Sequence, residues 1–424
     1  MRERLSVDEI AGAFRQALSK GMIREEDTAV MFHDLGFLEE RIQRLVSVFP
    51  SDTLHALAIK ANPLRRILEF TKDLSPQVGV EAASIGEVYL ALQAGYPPQR
   101  IVYDSPVKTR QDLAAALNAG VHINADNLAE LDRIAGLVGG SPMKGTAGIR
   151  INPQSGSGTI TESSTAGEYS KFGVPIKTER AALLRAFREY PWLTGVHLHV
   201  GSQGCHPDML AESAGVLVEL VKEAELEIPG RITRFDIGGG FPISYGSSDT
   251  AYEIEDYAHT LKSRFPTLFD GHCSLITEFG RWVFTNTGWT ASRVEYIKHD
   301  IGINTAMIHT GADLFLRECF NPKAWHHEYS VVDRHGQLKT DLCPTPWNLA
   351  GPLCFSGDIM ARNIRLPEIE EGDYIIIHDT GGYTFSMWSR YNSRFTPRIL
   401  GYREGKFHML KERENTADLA RFWE

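Results

Sequence analysis

No stretch of this chain approaches the roughly eighteen consecutive apolar residues needed to cross a bilayer as a helix. Its N-terminus, MRERLSVDEIAGAFRQAL, has no apolar core of the kind that marks a secretory signal. Arg2, Arg4 and Arg15 suggest a transit peptide, but the acidic residues among them argue against one. An excess of basic residues is also missing. Lys and Arg number 44 against 54 Asp and Glu, a formal net charge of −10. That disfavours nonspecific binding to nucleic acid or to an anionic membrane. Cysteine is scarce: Cys205, Cys273, Cys319, Cys343 and Cys354 are few, odd in number and without metal-ligand spacing. They read as reduced thiols of a cytoplasmic protein, with no metal site. No fixed-period repeat or low-complexity tract occurs.

What is present is an alternation. From about residue 54, short apolar runs alternate with segments of helical spacing. The runs are HALAIK, QVGVEAAS, RIVYDS, VHINAD, GIRINP, GVHLHVG, RFDIGGG and SLITEFGR. Between them, Ser84 and Glu87 have capping-box spacing ahead of Val88, Tyr89 and Leu92, with Gly95 as a stop. DMLAESAGVLVELVKEAEL is a second clear helix. Eight strand–helix units in a row predict an α/β fold, a closed (β/α)8 barrel over residues 30–288. After Gly288 the pattern becomes short alternating runs bounded by Gly, Pro and Asp. This predicts a mostly antiparallel β domain over residues 289–424. Residues 1–29 are assigned to that domain, because nothing in a barrel requires the N-terminal helix.

The strand ends carry the chemistry. The runs finish at Lys60, Glu81, Asp104, Asp126, Arg150, His199, Gly238 to Gly240 and Glu278. In a barrel, these ends form the rim where active sites lie. Lys60, after an apolar run, is either a nucleophilic amine in a partly desolvated pocket or a lysine snorkelling from a strand end. The triplet in FDIGGGFP cradles a phosphate or makes a tight turn. It is not GxGxxG and lacks the lysine of a P-loop. His197 and His199 alternate on one strand and so point the same way, towards a flat cofactor ring or into a core. Glu278 and Arg281 in EFGR set a carboxylate at a strand end and a guanidinium three residues on; a carboxylate beside a pyridine nitrogen favours its protonated, electron-accepting form. Cys354, in GPLCFSGD, is a candidate acid or nucleophile.

LAIKANP, EAASIGE, HLHVGSQ, FDIGGGFP, EFGR, GPLCFSGD and GGYTFSMWSRYNSR, in that order, resemble the pyridoxal-phosphate-dependent ornithine/diaminopimelate/arginine decarboxylases, with an alanine-racemase-type barrel. HVGSQ, CxSGD and the YNSR ending place the resemblance nearest the diaminopimelate branch. The resemblance runs from about residue 30 to 405. It implies that Lys60 carries pyridoxal phosphate and that His199 stacks on its ring. Ser202, Gly238, Gly239 and Gly240 would bind the phosphate, and Glu278 would pair with the ring nitrogen. Arg281 would contact phosphate or substrate carboxylate. Glu81 stands near the cofactor, and Tyr383 would reach both cofactor and substrate. Cys354 would be the proton donor, delivered across a head-to-tail homodimer.

Three positions depart from the family pattern. Phe279 replaces the proline of EPGR, which is expected to alter a turn and leave the chemistry intact. Phe355 stands where diaminopimelate decarboxylases carry a glutamate that meets the distal amino group. Arg317 is present, but Asn321 occupies the position of the tyrosine expected four residues later. An apolar ring cannot pair an ammonium, and a buried unpaired charge is costly. The reading is therefore an amino-acid decarboxylase whose substrate lacks the distal amine, as in siderophore or antibiotic precursors, with Arg281 and Arg317 able to bind a distal carboxylate. A genuine meso-diaminopimelate decarboxylase making lysine stays open, as do an amino-acid racemase and a non-catalytic regulatory homologue. Glu278 and Cys354 speak against the racemase. The full set of cofactor contacts speaks against the homologue.

Overall fold

Eight of the predicted runs form one closed parallel sheet. In the computed structural model, which describes residues 3–156, 158–160, 164–246, 249, 252–341 and 343–424, the barrel strands are β1 (Leu54–Ala58), β2 (Val78–Ala82), β3 (Ile101–Asp104), β4 (His122–Ala125), β5 (Thr146–Asn152), β6 (Leu193–His197), β7 (Arg234–Asp236) and β8 (Ser274–Thr277). Arg2, noted above, lies outside the described residues. Each strand pairs with the next in parallel, and β8 returns to β1 through Ile276 opposite Leu54. Burial on both faces explains the short, continuous apolar runs. Helices then cover the sheet from outside; the longest, Pro207–Glu225, buries Leu210, Leu217 and Leu220.

Two details differ from the sequence reading. Lys60 is not on a strand: β1 stops at Ala58, and Ile59–Ala61 turns into a short 3-10 helix ahead of Asn62-Pro63. Proline disfavours helical backbone in the residue before it, which holds the turn short. At Ser84 the cap is only half of a box. The Ser84 hydroxyl accepts from the Glu87 N–H, but the Glu87 carboxylate accepts from the Ala83 N–H, one residue too early.

The compact unit around the barrel spans Glu39–Ile243 and Thr250–Val283. It therefore begins later than the expected residue 30. Strand Ala29–Asp34 belongs to the other unit, where it pairs antiparallel with Gly288–Asp300 and parallel with Arg398–Arg403. Burial of that strand resembles burial in a barrel strand, so its sequence does not distinguish the two sheets. The second unit (Met1–Leu38, Ser244–Asp249, Phe284–Glu424) is built on the long strand Gly288–Asp300. That strand also pairs antiparallel with Ile303–Ile308 and Tyr374–Ile377. Helix Val7–Ser19 packs there as expected: Ile10, Phe14 and Ala17 join Phe32, Trp289, Ile376 and Leu400 in one apolar cluster. The segment HHEYSVVDRHGQLKT contains strand Tyr329–Val332 and a turn in which Asp333 Oδ1 accepts from the His335 and Gln337 N–H groups. The Gln337 side chain accepts from Arg15, which ties this segment to the N-terminal helix.

Candidate active site

The barrel brings the predicted rim residues together. Lys60 Nζ lies 2.5 Å from Glu81 Oε2 at the end of β2. Burial pushes the Glu81 carboxyl up, to about 8; Lys60 opposes that shift, while Glu278 and Asp104 add to it. Beyond Glu81 the lumen holds more buried charge. Arg150 donates to Asp104 Oδ2 at 2.9 Å. His197 has Nδ1 3.7 Å from Asp104 Oδ1 and Nε2 3.7 Å from Glu278 Oε1. Burial alone would raise the Glu278 carboxyl, but His197, His199 and Lys60 outweigh it and hold it well below the usual range.

His199 meets the other Glu278 oxygen, with Nδ1 3.6 Å from Oε2. The two histidines do share a side, as the alternation predicted, although β6 ends at His197. The Gly239 N–H donates to His199 Nδ1 at 3.1 Å. A nitrogen that accepts this bond carries no proton, so the ring is neutral with its proton on Nε2. Burial likewise lowers the His199 pKa.

The glycine triplet is required by the backbone itself. Gly238 and Gly240 have φ of +65° and +99°. A Cβ on Gly238, Gly239 or Gly240 would lie within 2.2, 2.5 or 2.4 Å of the carbonyl oxygens of Leu198, Glu278 and Gly201. The Gly238 N–H donates to Asp236, and that of Gly239 to His199. Among the described residues, only the Gly240 N–H of the triplet has no acceptor within the protein. Ser202 Oγ accepts from Arg281 Nε and Nη2 at 3.1 and 2.8 Å. A free amide, a hydroxyl and a guanidinium of this kind suit a phosphate. Phe279 packs outward among Phe49, Phe241 and Tyr257, clear of these groups.

Four predicted residues lie in the second unit. There the Arg317 guanidinium sits over the rings of Trp325 and Tyr383, at 4.4 and 5.0 Å. Tyr383 has φ of +57°, a strained backbone for a non-glycine residue. Cys354 is exposed, and its N–H donates to Asn392 Oδ1 at 2.8 Å. Asp358 orders this loop by accepting from Leu353 and Ala312 N–H groups. Phe355 stacks on Phe320 at 5.6 Å and meets Tyr391 edge-on at 6.3 Å.

Residues 35–285 match the family described as "Pyridoxal-dependent decarboxylase, pyridoxal binding domain". The chain belongs to the pyridoxal-dependent decarboxylases. It is 31% identical to the diaminopimelate decarboxylase of Methanothermobacter thermautotrophicus, over 86% of this chain and 83% of that one. It is 29% identical to that of Campylobacter jejuni, over 94% and 96%. The crystal structure of diaminopimelate decarboxylase from Helicobacter pylori complexed with L-lysine superposes with a TM-score of 0.84 at 26% identity, covering 96% of this chain and 99% of that one. This is a pyridoxal-phosphate-dependent amino-acid decarboxylase, a carboxy-lyase, of the diaminopimelate decarboxylase type.

The residues present fit that cofactor. Glu81 Oε1 is buried without a hydrogen-bond partner and Glu278 is held as an anion, acceptors suited to a cationic heterocycle and its protonated linkage. The sequence marks Asp104 and Arg150 only by position and leaves His197 between a cofactor ring and the core, and it gives no sign of Asp236. Asp236 sits beside a conspicuous glycine triplet, where only the three-dimensional pairing of β7 with β6 aims it into the lumen. His197, Asp236 and Glu278 place their polar atoms within 4.8 Å of one another in the lumen.

Proposed function

We propose that the enzyme decarboxylates an amino acid that lacks the distal amine of diaminopimelate. The observation carrying this reading is Phe355, walled by Phe320 and Tyr391. In the diaminopimelate branch, the resemblance puts a carboxylate there. Three aromatic rings supply contact area and no anion, so a distal ammonium would lose its partner. Arg317 and Arg281 supply the positive charge for a distal or reacting carboxylate.

Pyridoxal phosphate, when bound, supplies an electron sink for the Cα–carboxylate bond. Lys60 presents the amine that carries it. Glu278 keeps a negative charge at the ring nitrogen, and neutral His199 offers a flat face. Ser202, Arg281 and Gly240 hold the phosphate. Cys354 returns a proton to Cα. Cys354 is exposed within one chain, and the reading takes a homodimer in which its loop is covered by a second copy. A reduced, cytoplasmic setting suits a thiol acid.

The test is CO₂ release from the cofactor-loaded protein supplied with meso-diaminopimelate. Little or no release, from protein that shows the cofactor absorbance band, supports the reading. Robust release with lysine as product refutes it.

A further inference from the structure

Among the described residues, His197 is a lumen histidine that the reaction does not touch. His197 is fully buried, beneath the ring-nitrogen end of the site. Neither of its nitrogens has a hydrogen-bond partner within ordinary distance, yet each faces a carboxylate oxygen 3.7 Å away that is itself unpartnered. A neutral imidazole would have to aim one lone pair at a carboxylate. A doubly protonated ring turns a positive N–H towards each of them, an ion-pair contact on both sides. Asp104 is committed as an anion, because its other oxygen accepts from Arg150.

The groups facing His197 are few. Asp104 comes from β3, Asp236 from β7 and Glu278 from the end of β8. His122 on β4 faces it too, but is turned to Thr146 and Asn124 and is held neutral by burial. Asp236 accepts from the Gly238 N–H and from Asn124, and burial with Glu278 nearby pushes it up, to about 8.

We propose that His197 is a positioning residue: a buried imidazolium, held between Asp104, Asp236 and Glu278, that keeps the Glu278 carboxylate ionised and aimed at the cofactor's ring nitrogen. This rests on Glu278 standing at that nitrogen. Burying a lone carboxylate is costly, and a cation behind it removes that cost before the cofactor arrives. The device is the second partner that orients a ligating group, applied here to an organic cofactor.

A double-mutant cycle tests it on the apoprotein, read as pyridoxal-phosphate affinity by absorbance titration. His197→Asn is expected to weaken binding roughly 10- to 100-fold, the range for loss of an outer partner of a ligating group. Glu278→Gln is expected to weaken it at least as much, and His197→Asn to add nothing in that background. Independent, additive losses would overturn the proposal. If Glu278→Gln leaves binding and spectrum unchanged, the ring-nitrogen assignment has failed, and the proposal falls with it. A second measurement stands even if His197→Asn folds poorly. In the ¹⁵N-histidine-labelled wild-type holoenzyme, the His197 signal, assigned by its loss in His197→Gln, should show both nitrogens protonated at pH 7.5. A neutral ring there would overturn the proposal, as would stoichiometric divalent metal on these groups in the purified protein.

Discussion

Lys60 and Glu81 face each other across the rim, Nζ to Oε2 at 2.5 Å, from a 3-10 turn after one strand and the next-to-last residue of the neighbouring one. The carboxyl is fully buried and the amine is not. The pair thus holds the amine over the lumen without sealing it from the cofactor.

Removing that amine should remove the chemistry. Lys60→Ala is expected to lose the absorbance of the lysine-bound cofactor and all measurable CO₂ release, while the far-ultraviolet circular dichroism is unchanged. Turnover retained in this variant would show that another group carries the cofactor.

Cys354 is assigned the proton return. Cys354→Ala should lower kcat on the order of 10²- to 10⁴-fold, the range for loss of a positioned acid, with KM little changed. Cofactor affinity should not move. An unaltered rate and product would take the thiol out of the reaction.

On the proposed reading, Phe355 sets the substrate preference. Phe355→Glu introduces an anion beside Phe320 and Tyr391. It is expected to shift the kcat/KM ratio towards meso-diaminopimelate by roughly 10- to 100-fold, about 1.5–3 kcal/mol, the lower end for a close charge pair. A ratio that does not change would place the distal group elsewhere.

The cofactor-free protein should lose stability as pH rises from 6.5 to 9. His197 is raised from 6.5 to about 9: burial opposes its charge, and Asp104, Asp236 and Glu278 override it. A raised folded pKa gives stability that is complete below the unfolded value and lost through the folded one. Glu81 and Asp236, raised to about 8 by burial, act with the same sign. His55 and His122, lowered to about 3 by burial, act below 6.5 and leave the window alone. Thermal melts should therefore show Tm falling across it, and falling less in His197→Asn. A flat or rising Tm would contradict these charge assignments.

Much of this was legible in the sequence, for identifiable reasons. A strand buried on both faces and ending in a polar residue announces a barrel rim, so all eight strands were found. The two histidines of HLHVGSQ were placed on one side by simple alternation. The barrel boundary expected at residue 30 falls later because the sheet that strand Ala29–Asp34 joins depends on partners more than 250 residues away. Lys60 was placed on a strand because the turn after Ala58 is set by Asn62-Pro63 and by contacts with β2. The family resemblance implies phosphate binding by Gly238 and Gly239, whereas their N–H groups are taken by Asp236 and His199. The Phe320–Phe355 stack joins residues 35 apart in sequence and leaves no local signal.

The most direct measurement compares kcat/KM for meso-diaminopimelate with that for 2-aminopimelate, the same skeleton without the distal amine, on the cofactor-loaded enzyme. The account predicts faster CO₂ release from 2-aminopimelate. A clear preference for meso-diaminopimelate, with lysine formed, would contradict it.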